Sequence, residues 1–487
     1  MRQLIHRILR STVKFVGSNT FFLLVCATFF IGSAWIAVSF KYPLLYDEVF
    51  HYPVIEIIAE EGVQLSGDQP LEYDQYGNLS NGDVTLFHYL MAIPLTAINW
   101  FTDNLAVEVV TLRLLNVLLV LVGLFVYWRL MIAAGIKKVY ANISLLLFTL
   151  IPIVPFVAAH INYDNLIFPL FGLYALTLVS IIKNGLRPNY RLYTALISIG
   201  AVASLVKYTF LPVFALTLVP LLVLAMVKHR PTFIQDLFSS FKQTRKLVAI
   251  FMAIILVLSV SLFSLKYVQN IVVYGSPKPS CAATLSEERC LANPIYKRNQ
   301  AVLSVKDQLE TVSPEQYSLD WFMAMIQYSV SIDVKESGGF IPIFKTLAFY
   351  ALILSVLVLA YTARRTFRDN KRLSALFYLS LLVIASVFVA NYTFYLNYHV
   401  AYATQPRYLI VIMPLLVGLS VVAMSLILRS RWLGVALLSI TMILMTQGGG
   451  ALTAISRSTA SDYWQNTQII EFNRVLQSIT SKFIKET

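Results

Sequence analysis

Charge is scarce in this sequence: Asp, Glu, Lys and Arg make up 13% of 487 residues, against roughly 25% in a soluble globular chain. With 58% apolar residues beside so little charge, a water-soluble fold is excluded and a polytopic membrane protein is implied. Other absences narrow the function. The net charge of +13 has no aromatic-interleaved basic domain to hold a phosphate backbone, so nucleic acid is not a partner. Gly448-Gly449-Gly450 has no Lys after it, which rules against a phosphate-binding loop. The basic N-terminus leads into an apolar run longer than a signal-peptide core, with no Ala-x-Ala site behind it, so the first span is expected to be retained. No internal repeat or low-complexity tract interrupts the chain.

What is present is a series of apolar runs long enough to cross about 30 Å of hydrocarbon. They fall at 20–40, 109–131, 140–159, 165–182, 192–206, 208–227, 247–268, 346–363, 374–391, 408–428 and 432–449, with the division of 192–227 the least marked. The expected fold is therefore an all-α bundle of about eleven transmembrane helices, occupying 1–449 and followed by a C-terminal segment, 450–487. Lys and Arg gather at the N-terminus and in alternate short connections, which the positive-inside rule assigns to the cytoplasm. Those connections hold only Asp236 and Asp369 among 25 acidic residues. The long segments 41–108, 269–344 and 450–487 thus fall on the extracytoplasmic or lumenal face, and the working surface with them.

Within 41–108, apolar residues at helical spacing from Val49 to Glu61, stopped by Gly62, predict an amphipathic helix along the interface. Thr85–Trp100 is too short for a span and predicts a second one. The 269–344 loop is large enough for a lid, with a helix near Leu319–Ser331. It also holds Cys281 and Cys290 on the oxidising side, where a disulfide is expected, the alternative being two free thiols. Cys26 lies inside the first span. Ile469, Phe472, Leu476, Ile479 and Phe483 recur every three or four residues and predict a surface-lying C-terminal helix in contact with membrane lipids.

The outer ends of the spans carry the chemistry. Asp47, Glu48 and His51 follow the first span. His160, Asn162, Tyr163, Asp164 and Asn165 lie between the third and fourth, Lys207 between the fifth and sixth, and His399, Gln405 and Arg407 before the tenth. An ionised side chain in hydrocarbon costs roughly 2.5–3.5 kcal/mol on insertion scales, so these groups belong in a wet, protein-lined site. Such a set suits transfer from a phosphate-linked donor: a carboxylate takes the proton of an attacking hydroxyl and a cation steadies the departing phosphate. Each residue also has a plainer reading. Asp47-Glu48 as an ordinary acidic loop, Asp164 as a helix cap, and Arg407 and Lys207 as side chains snorkelling to headgroups all remain open. His51, His88, His160 and His399 are candidates to hold a divalent metal with Asp47 or Asp83, though they lack a paired spacing such as His-x-x-x-His.

On Asp47-Glu48-Val49-Phe50-His51 after the first span, the interfacial helices, Asp164 and Gln405-Pro406-Arg407-Tyr408-Leu409, the chain resembles the GT-C superfamily of integral membrane glycosyltransferases. It looks closest to the type 39 branch of protein O-mannosyltransferases and aminoarabinose transferases, and the acidic stretch is similar to one in dolichyl-phosphate-glucose glucosyltransferases. The likeness covers about the first 230 residues well and the later half in layout only. It implies a polyprenyl- or dolichyl-phosphate sugar donor and a hydroxyl acceptor. Asp47 would be the general base, Glu48 its supporting partner and Asp164 a second acid at the acceptor site. Arg407, with Lys207, would bind the donor phosphate, and His51, Tyr163 and His160 would contact substrate. One departure is Asp83-Val84-Thr85-Leu86-Phe87-His88, where relatives often carry a Pro-Pro-Leu run. The rival readings are a transporter or flippase of lipid-linked sugars and a non-catalytic scaffold subunit.

Overall fold

The structure is a computed structural model that describes residues 11–44, 47–62, 69–79, 85–330, 342–368, 370–401, 404–428, 434, 440–442 and 458–481. Every regular element among them is a helix, and the one β-bridge joins Phe40 to Tyr463. Six helices are long and apolar enough to cross a membrane: α1 (Asn19–Ser39), α4 (Leu105–Ala133), α7 (Asp164–Lys183), α9 (Phe210–Lys228), α11 (Lys246–Tyr274) and α15 (Lys371–Tyr398). Only 11% of α11's most apolar stretch is covered by protein. An apolar helix left so bare has no stable place in water and needs a lipid environment.

The remaining elements are shorter. Helices α2 (Glu48–Glu61) and α3 (Leu86–Asn99) stand where the two amphipathic helices are expected, and Val54, Ile57 and Ile58 of α2 turn inward as their spacing predicts. The run 140–159, expected as one span, is instead broken into α5 (Lys138–Leu150) and α6 (Ile153–Ala158). Pro152 lacks an N–H and pushes Ile151 into extended backbone, so the helix cannot run through. The stretch 192–227 divides into α8 (Tyr190–Val206) and α9, with Lys207 in extended backbone at the joint. A helix over Phe233–Gln243 (α10) links α9 to α11.

After α11 come the Cys281–Cys290 disulfide, α12 (Pro294–Leu303) and α13 (Pro314–Val330). Helices α14 (Pro342–Phe367), α15, α16 (Met413–Ile427) and α17 (Thr467–Ser481) complete the described chain. The expected span at 432–449 lies almost wholly outside the described residues.

Helices α4 and α7 form the centre. Phe168 stacks on Tyr127 at 4.6 Å and on Phe148 at 5.5 Å. The ring fits because position 123 is glycine: a Cβ there would lie 2.2 Å from Phe168. Tyr127 donates its hydroxyl to the Val411 carbonyl, which ties this centre to the segment carrying Arg407. The C-terminal segment returns to the end of α1, where Lys41 N–H donates to Asp462 O (3.0 Å) and Trp464 N–H to Ser39 O (3.1 Å). Trp35 of α1 donates to Asn473 of α17 at 3.1 Å. The C-terminal segment thus packs against the end of α1, just before the Asp47 turn.

Candidate active site

The turn that presents Asp47 is built on a charge buried directly behind it. Glu48, the first residue of α2, has no exposed surface, and neither does Arg113 of α4. Arg113 donates Nε and Nη2 to the two carboxylate oxygens at 2.8 and 2.6 Å. The same carboxylate accepts the N–H of Leu44 (2.7 Å) and of Ile161 (3.1 Å). Arg113 gives its remaining donors to the carbonyls of Phe40 (2.5 Å), Ala37 (3.3 Å) and Lys41 (3.4 Å) at and just past the end of α1. Burial pushes the Glu48 carboxyl up, but the guanidinium and its hydrogen bonds outweigh this and hold it below the usual carboxylate range. Glu48 is thus an ionised pin joining α1, α2, α4 and the turn after α6. All of these bonds run to buried protein groups.

Asp47 faces the other way. Its side chain is 40% exposed and ion-pairs with Arg407, which is 1% exposed and lies 360 positions along the chain. Arg407 sits in a short 3-10 turn, Pro406–Leu409, with its guanidinium 5.2 Å from the Tyr408 ring. A second buried pair joins Asp164 at the start of α7 to Lys207 at the end of α8. The Lys207 ammonium lies over two aromatic faces, Tyr408 at 4.8 Å and Tyr163 at 5.3 Å. Burial lowers the Lys207 pKa and Asp164 opposes that shift.

The plainer readings of three of these residues fall away. Asp164 gives its carboxylate to Lys207 and caps nothing. Arg407 and Lys207 are buried in ion pairs and do not snorkel. Asp47, His51, Tyr163, Asp164, Lys207 and Arg407, drawn from four connections, meet in one place, since the His51 ring also packs edge-on to Tyr163 at 4.9 Å.

His160 lies behind this group, buried, with Nδ1 on Phe156 O at 2.7 Å and Nε2 near the Asn162 amide at 3.4 Å. His399 ends α15 and bonds the Lys306 carbonyl, apart from the ion pairs. Among the described residues no three His, Cys, Asp or Glu side chains converge as metal ligands, and Asp83 lies outside those residues. His51 and His88 use one nitrogen each on the other, Nδ1 to Nε2 at 3.0 Å, which leaves that pair poorly disposed to share an ion.

Arg113 is the residue that the sequence reading missed, hidden in an apolar run. A lone cation there is itself a signal, because it must find a buried partner. No protein-family model and no curated protein matches the chain.

Proposed function

We propose that this protein is a GT-C-type membrane glycosyltransferase with about eleven spans. It would move a sugar from a polyprenyl- or dolichyl-phosphate donor to a hydroxyl acceptor at the extracytoplasmic or lumenal face. The observation that carries the reading is the Asp47–Arg407 ion pair. A proton acceptor and a phosphate-binding cation are brought into contact from opposite ends of the chain, the carboxylate partly open and the guanidinium buried.

In this reading the donor's phosphate takes the place of Asp47 on Arg407, and Lys207 adds positive charge beside it. The carboxylate so released accepts the proton of the attacking hydroxyl. A new bond forms between the acceptor oxygen and the anomeric carbon, and the bond from that carbon to the phosphate oxygen breaks. The electron pair leaves on polyprenyl phosphate. Attack opposite the phosphate without a covalent enzyme intermediate inverts the anomeric centre.

The test is transfer by the purified, reconstituted protein supplied with a panel of polyprenyl-phosphate sugars, read as release of polyprenyl phosphate. Mass spectrometry of lipids and glycans in a deletion strain identifies the acceptor. Release that depends on acceptor and is lost in Asp47→Asn supports the reading. Vectorial movement of the lipid-linked sugar without release would make the protein a transporter instead.

A further inference from the structure

Two of the buried polar atoms in the site, His51 Nε2 and Asp164 Oδ2, lack a partner, and a hydrogen-bond chain fixes the character of the first. The backbone N–H of Thr85 donates to His88 Nδ1 at 3.0 Å, so that nitrogen carries no proton. The proton of His88 is therefore on Nε2, which lies 3.0 Å from His51 Nδ1 and donates to it. His51 Nδ1 is in turn an acceptor, and the His51 proton sits on Nε2. Burial and the nearby cationic groups keep this imidazole neutral, well below its ordinary pKa. Nε2 is buried and bonded to nothing. His51 is 6% exposed, so bulk water does not meet this need.

The second atom is an acceptor. Asp164 is fully buried, and its Oδ1 takes the Lys207 ammonium while Oδ2 has no partner. Both residues border Tyr163, whose ring touches His51 at 4.9 Å and lies 5.3 Å from Lys207. A buried donor or acceptor left unmet is costly, and burying the two becomes favourable when a ligand satisfies both. A hydroxyl-bearing ring does so, because each hydroxyl gives one hydrogen bond and takes others, and its apolar face packs on an aromatic ring.

We infer that His51, as a fixed Nε2–H donor, and Asp164, as an acceptor, bind hydroxyl groups of the transferred sugar, with His88 as the positioning residue that sets the His51 tautomer. This rests on the donor reading above and assigns the polyol part of the ligand, separate from the phosphate held by Arg407. It also gives His51 a role other than metal ligation, since the nitrogen left unbonded carries a proton.

The experiment uses the full chain in lipid nanodiscs and measures binding of farnesyl phosphate and of its hexosyl, pentosyl and N-acetylhexosaminyl esters. Wild-type protein should bind at least one sugar ester about ten-fold more tightly than farnesyl phosphate. His51→Phe should erase that gain and leave farnesyl phosphate affinity unchanged. His88→Phe should reduce the gain with His51 intact. Equal affinity for sugar esters in wild type and His51→Phe, or equal loss for esters and farnesyl phosphate, overturns the inference.

A readout independent of variant folding is ¹⁵N NMR of wild-type histidines, which should give His51 as the Nε2-protonated neutral form at about pH 6.5, its ordinary midpoint, and above. An Nδ1-protonated or doubly protonated His51 would overturn it. Wild-type protein that binds neither farnesyl phosphate nor any ester removes the donor reading itself, whereas binding of farnesyl phosphate with no gain from any sugar removes this inference alone.

Discussion

Arg113 and Glu48, 65 positions apart, form a two-bond ion pair at 2.6 and 2.8 Å with no exposed surface on either side chain. Their other side-chain bonds run to the backbone of Ala37, Phe40, Lys41 and Leu44, just before Asp47, and to Ile161 N–H in the turn after α6. Removing one partner leaves a buried charge without its counterion, which typically costs 3–5 kcal/mol. Arg113→Met should therefore lower stability by about that much. The neutral pair Glu48→Gln with Arg113→Met should recover part of the loss. Thermal unfolding in nanodiscs at one fixed scan rate checks this, and a double variant no better than Arg113→Met would count against the pair.

The same pair fixes a pH dependence. The folded pKa of Glu48 is lowered, so its stabilising contribution is complete above the unfolded value and lost as pH falls through the folded one. Stability should then be insensitive to this group from neutrality down to about pH 5 and decline below about pH 4. Glu48→Gln protein, less stable at neutral pH, should have a shallower acid decline. A Glu48→Gln profile parallel to wild type across the acid range would dismiss the linkage.

The disulfide loop acts as a clamp on the first long loop. Arg289, next to Cys290, donates to both Asp74 oxygens (2.7 and 2.8 Å) and to Gln69 O (2.6 Å), and Asn293 donates to Gln75 O at 3.1 Å. Asp74 is 2% exposed, and although burial opposes it, the Arg289 and Gln69 hydrogen bonds hold its carboxyl below the usual range. Arg289→Ala should free the 69–79 stretch by about 1.5–3 kcal/mol, roughly a ten- to hundred-fold rise in amide exchange there. Reducing Cys281–Cys290 should act on the same amides. Unchanged exchange at 69–79 after both treatments would show that the clamp holds nothing.

The α4–α7 contact admits a size test. Since a Cβ at position 123 would fall 2.2 Å from the Phe168 ring, Gly123→Ala should destabilise the protein by about 1–3 kcal/mol. Adding Phe168→Leu should relieve part of that cost. Additive losses in the double variant would mean that the two positions do not share the space.

Much of this arrangement was legible in the chain. Helical spacing marked α2 and its inward face, and loop position marked the Cys281–Cys290 bridge. Polar residues at the ends of apolar runs marked Asp47, Asp164, Lys207 and Arg407 as neighbours. What could not be read was which acid meets which base. Pairing is decided by packing between segments far apart in sequence, so Glu48, adjacent to Asp47, turns inward to Arg113 while Asp47 turns to Arg407. Helix breaks were also underread: composition made 140–159 one apolar run, whereas Pro152 ends a helix by local backbone sterics that hydropathy does not register.

Under the proposed function, the ion pair of Asp47 with Arg407 makes the base and the donor phosphate compete for one guanidinium, which would separate binding from chemistry. Asp47→Asn removes the internal anion that a donor must displace. Because the Asp47 side chain is 40% exposed, screening limits what that displacement costs to about 0.5–1 kcal/mol. Farnesyl phosphate should therefore bind Asp47→Asn protein about two- to five-fold more tightly than wild type, while transfer is lost for want of a proton acceptor. Arg407→Ala should weaken the same ligand by about 1.5–3 kcal/mol, since a charge-assisted partner is gone. Calorimetric titration of both variants beside a transfer assay gives the two quantities. Weaker binding in Asp47→Asn would mean that the carboxylate helps to hold the donor and does not compete with it, and transfer at the wild-type rate would remove Asp47 as the base.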